Sequence, residues 1–177
     1  MLRTMRHLLL FFLLFVSSCS KERAALYHFN QVNDLIKKIE SLQNEYAQKM
    51  EEAINSRKMS GNIPEAELVR QELVRKVEIY IRKIKKVHSL QNDNSFRDAA
   101  ATYFEGTREI INNESKQIIA LRTSHIESQQ QNDSINLLLG AIQNKKSNYI
   151  SEFFKVREEF AKKYQLVILS KEQNQSP

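Results

Sequence analysis

The chain has 177 residues, a formal net charge of +6, and a composition that is 41% apolar and 27% charged. These proportions are typical of a folded domain and exclude both a disordered tail and a bundle of membrane spans. With 3 Gly and 2 Pro, the chain has too few turn-forming residues for a many-stranded sandwich or barrel;. The single Cys excludes internal disulfides and multi-cysteine zinc sites;.

The first segment has the pattern of an export signal. Arg3 and Arg6 precede an unbroken apolar run from Leu8 to Val16, and no acidic residue lies among them. A membrane-spanning helix needs about 20 residues. The short apolar core therefore indicates a secretory signal peptide.

The residues after this core decide the type of signal. Val16-Ser17-Ser18-Cys19 resembles the lipobox of bacterial lipoproteins. In that class the cysteine sulfur receives a diacylglyceryl group and the chain is cut just before it, here between Ser18 and Cys19. We expect residues 1–18 to be a lipoprotein signal peptide, residues 19–24 a lipidated short tether, and Cys19 the membrane anchor. The alternative is an ordinary cleaved signal with an incidental cysteine.

The residues after Cys19 predict the compartment. In enteric bacteria an Asp at this position retains lipoproteins in the inner membrane, and here the residue is Ser20. We therefore expect an outer-membrane protein, and Ser20-Lys21-Glu22 faintly resembles the Lys-acid signals of surface-exposed lipoproteins. Export and the modest positive charge predict no nucleic-acid partner.

Four segments of the remaining chain have apolar residues every three or four positions, which is the period of amphipathic helices. The predicted apolar stripes are Phe29, Val32, Ile36, Ile39, Leu42, Tyr46, Met50 and Ala53; Ala66, Val69, Leu73, Val77, Tyr80, Ile84 and Val87; Phe96, Ala100, Tyr103, Thr107, Ile110, Glu114, Ile118 and Leu121; and Ile135, Leu138, Ile142, Tyr149, Phe153, Val156, Phe160 and Tyr164.

Polar or turn-forming residues separate these stripes. Pro64 suits the first turn of the second helix. Ser95 is the predicted N-cap of the third helix, and Ser128 with Gln131 is the predicted capping pair of the fourth. The predicted breaks are at residues 60–64, 88–94 and 123–127.

Short connections make successive helices antiparallel neighbours. We therefore predict an all-α fold, an up-down-up-down four-helix bundle of long antiparallel helices over residues 25–169, with a loose tail at residues 170–177. A longer three-helix hairpin array is the alternative if the break near Glu127 is absent.

Residues for catalysis or metal binding do not converge in the sequence. His28, His88 and His125 lack ligand spacing and are interpreted as surface residues;. Of the carboxylates, Glu114 alone occupies a predicted stripe. No nucleophile elbow, phosphate-binding loop or dinucleotide fingerprint occurs. We expect no enzymatic activity, no metal and no cofactor.

Two groups of residues each have both a structural interpretation and a binding interpretation. The basic run Arg82, Lys83, Lys85 and Lys86 reads as a solvated helix face, and it is also a candidate contact for polyanions such as anionic headgroups or acidic glycans;. The tyrosines and phenylalanines of the last two helices read as core. If small residues such as Gly106 leave a gap, tyrosine hydroxyls would line an apolar pocket for a lipid-like ligand.

One stretch carries a family resemblance. Residues 93–100, continuing to Tyr103-Phe104 and Ile118-Ile119, together with residues 160–164, are similar to uncharacterised bacterial surface lipoproteins of the leptospiral type. The resemblance covers residues 25–169 and implies a secreted, lipid-anchored helical domain without a settled activity. Members have been linked to host-protein binding, and no binding residue follows from the motifs. The polar region Ser128 to Asp133 departs from the family pattern.

These patterns predict a lipid-anchored, non-enzymatic envelope protein that binds an unidentified protein or glycan, either in the envelope or outside it. The alternative is a carrier or sensor of a small apolar ligand inside the bundle. A tightly packed interior would argue against the carrier.

Overall fold

A computed structural model describes the backbone of residues 2–60, 64–122 and 128–167, and the side chains of residues 21–52, 65–122 and 128–167. These spans are almost entirely helical and contain no strand, which confirms the all-α prediction. The elements are α1 (Leu2–Ser60), α2 (Pro64–Lys85), α3 (Ser95–Ile110), a π-helical turn (Ile111–Ser115), α4 (Lys116–Arg122) and α5 (Gln129–Lys163).

Most helix ends agree with the sequence. α2 begins at Pro64, and α5 begins after Ser128, whose Oγ accepts a hydrogen bond from the Gln131 N–H at 3.2 Å. This confirms the predicted capping pair. The predicted break between the third and fourth helical segments is also present, because α4 ends at Arg122 and α5 starts at Gln129. The predicted break residues 123–127 lie outside the described part of the chain.

The start of α3 corrects one predicted cap. Ser95 is already the first helical residue, and the N-cap is Asn94, whose side chain makes no capping bond. Asp93 supplies the acceptor instead, because its Oδ1 accepts from Ser95 N at 3.0 Å and from Ser95 Oγ at 2.7 Å. The prediction was wrong by one residue because the Ser95 hydroxyl donates to Asp93, while the Asp98 N–H that it would have capped donates to the Asn94 carbonyl;.

The core follows the predicted stripe most closely in α1, where the predicted residues from Phe29 to Tyr46 are all buried. α3 is buried more widely, because α2 packs on one of its sides and α5 on another. Ala101 and Phe104, which lie outside the predicted stripe, are therefore buried too. α1 packs mainly against α2.

An aromatic cluster closes one end of the molecule. Phe96 lies at its centre, with ring-centroid distances of 5.3 Å to Phe29, 5.5 Å to Phe153 and 5.2 Å to Phe160. The cluster therefore joins α1, α3 and α5. Gln91 and Lys21 line one shallow depression at the same end.

α1 is helical through residues 19–24, which the sequence predicts as the tether. Ser18 and Cys19 fall in this helix, and their side chains lie outside those described. Within the described spans, no helix has an apolar stretch long enough to cross a bilayer.

Candidate functional site

An apolar groove of about 480 Å³ lies at the end of the molecule away from the aromatic cluster. It lies between α1 and α5, and α2, α3, the π-helical turn and α4 contribute the rest of its lining, α2 through Leu73 alone. It is lined by Gln43, Tyr46, Ala47, Met50, Glu51, Leu73, Tyr103, Thr107, Ile110, Ile111, Ser115, Ile118, Ile119, Arg122, Leu139, Ile142, Lys146 and Tyr149.

The π-helical turn shapes one wall of the groove. A π-helical turn inserts an extra residue into a helix, so residues eight apart across it share a face, as residues seven apart do in an α-helix. Ile110 is thereby aligned with Ile118, and Ile111 with Ile119. All four side chains are buried and line the groove. The predicted stripe contains Ile110 and Ile118 but neither Ile111 nor Ile119.

Tyrosines line the groove, as expected for the apolar pocket considered in the sequence analysis. They are not all tyrosines of the last two predicted helices. Tyr103 and Tyr149 belong to the lining, together with Tyr46 of α1, which the sequence assigns only to the core. Tyr164 lies at the aromatic end instead, where its hydroxyl donates to Asp93 Oδ2 at 3.2 Å.

Two of these tyrosines have buried hydroxyl groups. Burial raises the pKa of Tyr103 to about 12, and the Glu40 carboxylate acts in the same direction. The amide of Gln43 lies nearby but donates to Thr107 Oγ1 at 3.0 Å. Burial also raises the pKa of Tyr46. Neither Oη atom meets hydrogen-bonding geometry with any described residue.

A cluster of ionic side chains holds α5 against the π-helical turn. Lys145 Nζ lies 2.7 Å from Glu109 Oε1 and 2.9 Å from Glu114 Oε1. Tyr149 Oη donates to Glu109 Oε2 at 3.2 Å. Glu114 is buried, and its Oε2 has no hydrogen-bond partner among the described residues. The Lys145 ion pairs therefore fix the wall that carries Tyr149.

A second ionic cluster holds the same turn against α2. Arg70 is buried and donates from Nε and Nη2 to the two Glu67 oxygens at 2.7 and 2.6 Å. Its Nη1 donates to Asn112 Oδ1 at 2.8 Å. The hydrogen bonds from Arg70 lower the pKa of Glu67 to about 2. The sequence did not single out Arg70, because an arginine between apolar positions is usually exposed.

The basic run predicted as a polyanion contact lies elsewhere. Arg82, Lys83, Lys85 and Lys86 are all exposed near the C-terminal end of α2, and none of them lines the groove. Lys85 pairs with Glu105 at 2.6 Å, and Lys83 lies 5.0 Å from the Tyr80 ring centroid.

One histidine prediction is wrong. His28 is buried, with its ring 5.4 Å from that of Phe160 and 6.4 Å from that of Phe96. Burial lowers its pKa, and a hydrogen bond with the His88 backbone acts in the opposite direction. His28 lies one position before the predicted stripe residue Phe29, where the aromatic cluster widens the core. His88 is exposed, and His125 lies outside the described residues.

Within the described residues, no group of three or more histidine, cysteine, aspartate or glutamate side chains is arranged to hold a metal ion. No family model, curated protein or solved structure matches the chain. The resemblance to leptospiral-type lipoproteins and the lipidation of Cys19 therefore stay predictions.

Proposed function

We propose that the chain is a lipid-anchored, non-enzymatic envelope protein that binds a small apolar ligand in the groove. The observation that supports this proposal is a largely apolar groove of about 480 Å³ between α1 and α5. Ligand sites are typically concave, mostly apolar and about 300–1,000 Å³ in volume. The groove therefore favours a carrier or sensor of a small ligand. The main prediction from the sequence was a protein that binds a protein or glycan partner.

The driving force would be removal of apolar surface from water, about 25 cal/mol for each Å² that becomes buried. The groove is open on one side, so water wets the side chains of Met50, Ile142 and Leu139 when no ligand is bound. Both ionic clusters hold the walls in place before binding. A preformed site loses less conformational entropy when a ligand enters.

The binding experiment uses decanol, a neutral molecule with one alkyl chain, and equilibrium dialysis against the purified domain. Ala47 lines the groove and is exposed, whereas the neighbouring Gln48 is exposed outside the lining. We expect saturable binding of decanol to the wild type and to Gln48→Phe, and at least a tenfold weaker affinity for Ala47→Phe. Absence of saturable binding to the wild type would refute the proposal.

The location proposed for this binding domain is the outer membrane, with an up-down-up-down bundle tethered through lipid on Cys19 after signal cleavage. The continuity of α1 supports a defined distance from the membrane, because Cys19 and Ala47 are on one helix. At about 1.5 Å per residue, the groove would stand about 40 Å from the anchor. Mass spectrometry of the membrane fraction tests this: an unmodified chain that starts elsewhere than Cys19 would contradict it.

A second candidate role, contact with anionic headgroups, is supported by the position of the basic run. Gln91 follows the end of α2 and lies beside Lys21 and Glu22, near the proposed anchor. The exposed run Arg82, Lys83, Lys85 and Lys86 is therefore on the end that would face the membrane. Each basic residue at such a surface contributes about 1 kcal/mol. Cosedimentation of a non-lipidated domain with phosphatidylglycerol vesicles should be strong in low salt and weak in high salt, and salt-independent or absent binding would exclude this role.

A further inference from the structure

One end of the groove carries a group of uncharged polar side chains. Gln43 of α1 donates from Nε2 to Thr107 Oγ1 of α3 at 3.0 Å, and the same amide lies close to the Tyr103 hydroxyl. All three residues line the groove. Thr107 and Tyr103 are buried, whereas Gln43 is half-buried. Gln43 is therefore the member of this group that is most accessible to a ligand.

The other end of the groove is apolar. Along α1 the lining extends from Gln43 to Glu51, a distance of about 12 Å at the rise of an α-helix;. Met50, next to Glu51, packs beside the buried Ile119, and Glu51 itself is exposed. A chain-shaped ligand would therefore meet hydrogen-bonding groups at one end of the groove and hydrocarbon side chains at the other.

We propose that the ligand is an alkyl chain with an uncharged terminal hydroxyl group, a long-chain alcohol, and that this hydroxyl binds the Gln43 amide. The inference rests on the proposed function and names the ligand class of the same site. It joins two observations, an apolar groove and one accessible amide that a neighbouring hydroxyl holds in place at one end of it.

The chemistry of this end fits a hydroxyl group. An amide both donates and accepts hydrogen bonds, and so does a hydroxyl, so the two match whichever edge of the amide faces the ligand. The bond to Thr107 fixes the Gln43 side chain before a ligand enters, which lowers the entropy lost on binding;. A carboxylate would meet a like charge, because the Glu40 carboxylate already acts on the Tyr103 hydroxyl. Lys146, the basic lining residue of α5, is exposed, so water and salt screen its charge;.

The test compares decanol with decyl chloride, in which chlorine replaces the hydroxyl group, in wild type and in Gln43→Met. Methionine keeps the length of the side chain but removes the amide. The ratio of wild-type to variant affinity cancels the hydration of each ligand. We expect Gln43→Met to weaken decanol binding by about three- to tenfold, the size of a lost neutral hydrogen bond, and to leave the affinity for decyl chloride within about twofold. Gln48→Met is the matched control on the same helix outside the lining and should change neither affinity.

A second measurement tests the orientation of the ligand in the wild type without any substitution. In the decanol complex we expect nuclear Overhauser effects between the methylene protons next to the hydroxyl group and the side-chain amide protons of Gln43. The terminal methyl group of decanol should show them to the Met50 methyl group, at the other end of the groove. The reverse orientation, with the terminal methyl group at Gln43, would overturn the inference.

The outcomes separate the two proposals. If Gln43→Met weakens decanol and decyl chloride equally, or weakens neither, the hydroxyl inference fails while the groove stays a binding site. Tighter binding of decanoate than of decanol to the wild type would also overturn it, because a cation would then select the headgroup. If neither decanol nor decyl chloride binds to the wild type, the proposed function itself fails.

Discussion

The ring of Tyr149 occupies the space in which a Cβ atom on residue 106 would lie. Gly106 is buried in α3, and a Cβ added there would overlap ring atoms of Tyr149 on α5. The absence of a side chain at residue 106 therefore lets α5 approach α3 and positions one wall of the groove. The sequence analysis considered a gap at small residues such as Gly106, and in the structure the Tyr149 ring fills the space beside Gly106.

Gly106→Ala should destabilise the protein by about 1–3 kcal/mol, because the methyl group must displace a packed aromatic ring. The same substitution at Gly140 is the control, since a Cβ there meets nothing within 4 Å. Gly140→Ala should stabilise by about 0.5–1 kcal/mol through helix propensity. Urea unfolding measures both. Equal effects of the two substitutions would contradict the role assigned to Tyr149.

Lys145→Met should lower the free energy of unfolding by about 1–3 kcal/mol, because it leaves the buried Glu114 carboxylate without its ion-pair partner. The double variant Lys145→Met/Glu114→Gln should recover part of that loss. Glu109→Gln is the control, since the Glu109 side chain is 47% exposed and its pair with Lys145 is correspondingly weak;. A double-mutant cycle without coupling between residues 114 and 145 would refute the cluster as a support of the groove wall.

Acid should destabilise the fold through two carboxylates whose pKa values are lowered. Hydrogen bonds from Arg70 lower the pKa of Glu67 to about 2. Burial alone would raise the pKa of Asp93, but hydrogen bonds from Lys163 and Ser95 outweigh it and bring the pKa to about 2. Each carboxylate therefore stabilises the folded state above its unfolded pKa, and this contribution is lost as the pH falls from about 4.5 to about 2.

The contribution should be about 1 kcal/mol for each carboxylate after allowance for solvent screening. Chemical unfolding of wild type, Glu67→Gln and Asp93→Asn between pH 5 and pH 2 measures it. Each variant should show a shallower loss of stability with acid than the wild type. Parallel curves for all three proteins would contradict the assigned pKa shifts.

His28 should make the aromatic end sensitive to mild acid. Burial favours its neutral form in the folded state, so the unfolded chain binds more protons below the unperturbed pKa of 6.5;. Stability should therefore decrease as the pH falls below about 6.5, with Asp93 opposing this effect and Arg97 adding to it. Unfolding of wild type and His28→Leu at pH 7.5 and pH 5.5 tests it. The variant should lose less stability than the wild type, and an equal loss would contradict the effect.

Regular amphipathic segments were predictable from the sequence. In α1 the predicted apolar residues from Phe29 to Tyr46 are all buried, because one face of that helix packs against the core and the opposite face is exposed to solvent. The Ser128 cap was predictable because it depends on side chains three residues apart. The N-cap of α3 was misplaced by one residue, since the Ser95 hydroxyl donates to the neighbouring Asp93 instead of accepting from a helical N–H group.

Features that depend on the arrangement of several helices were not predictable. Ile111 and Ile119 lie outside the predicted stripe and are buried because both α2 and α5 pack against the π-helical turn and α4. The burial of His28 depends on Phe96 and Phe160, which are distant in sequence. A tyrosine-lined pocket was the alternative to a packed aromatic core in the sequence analysis. Which tyrosines line the pocket depends on how far apart α1 and α5 lie.

Methyl NMR of the isoleucine side chains during titration with decanol tests the central claim most directly. The predicted result is saturable shifts of the Ile118, Ile119 and Ile142 resonances, which belong to the groove lining, with little change at Ile84, which is buried outside it. No shift at any isoleucine, or shifts of equal size at Ile84 and in the groove, would contradict a ligand site between α1 and α5.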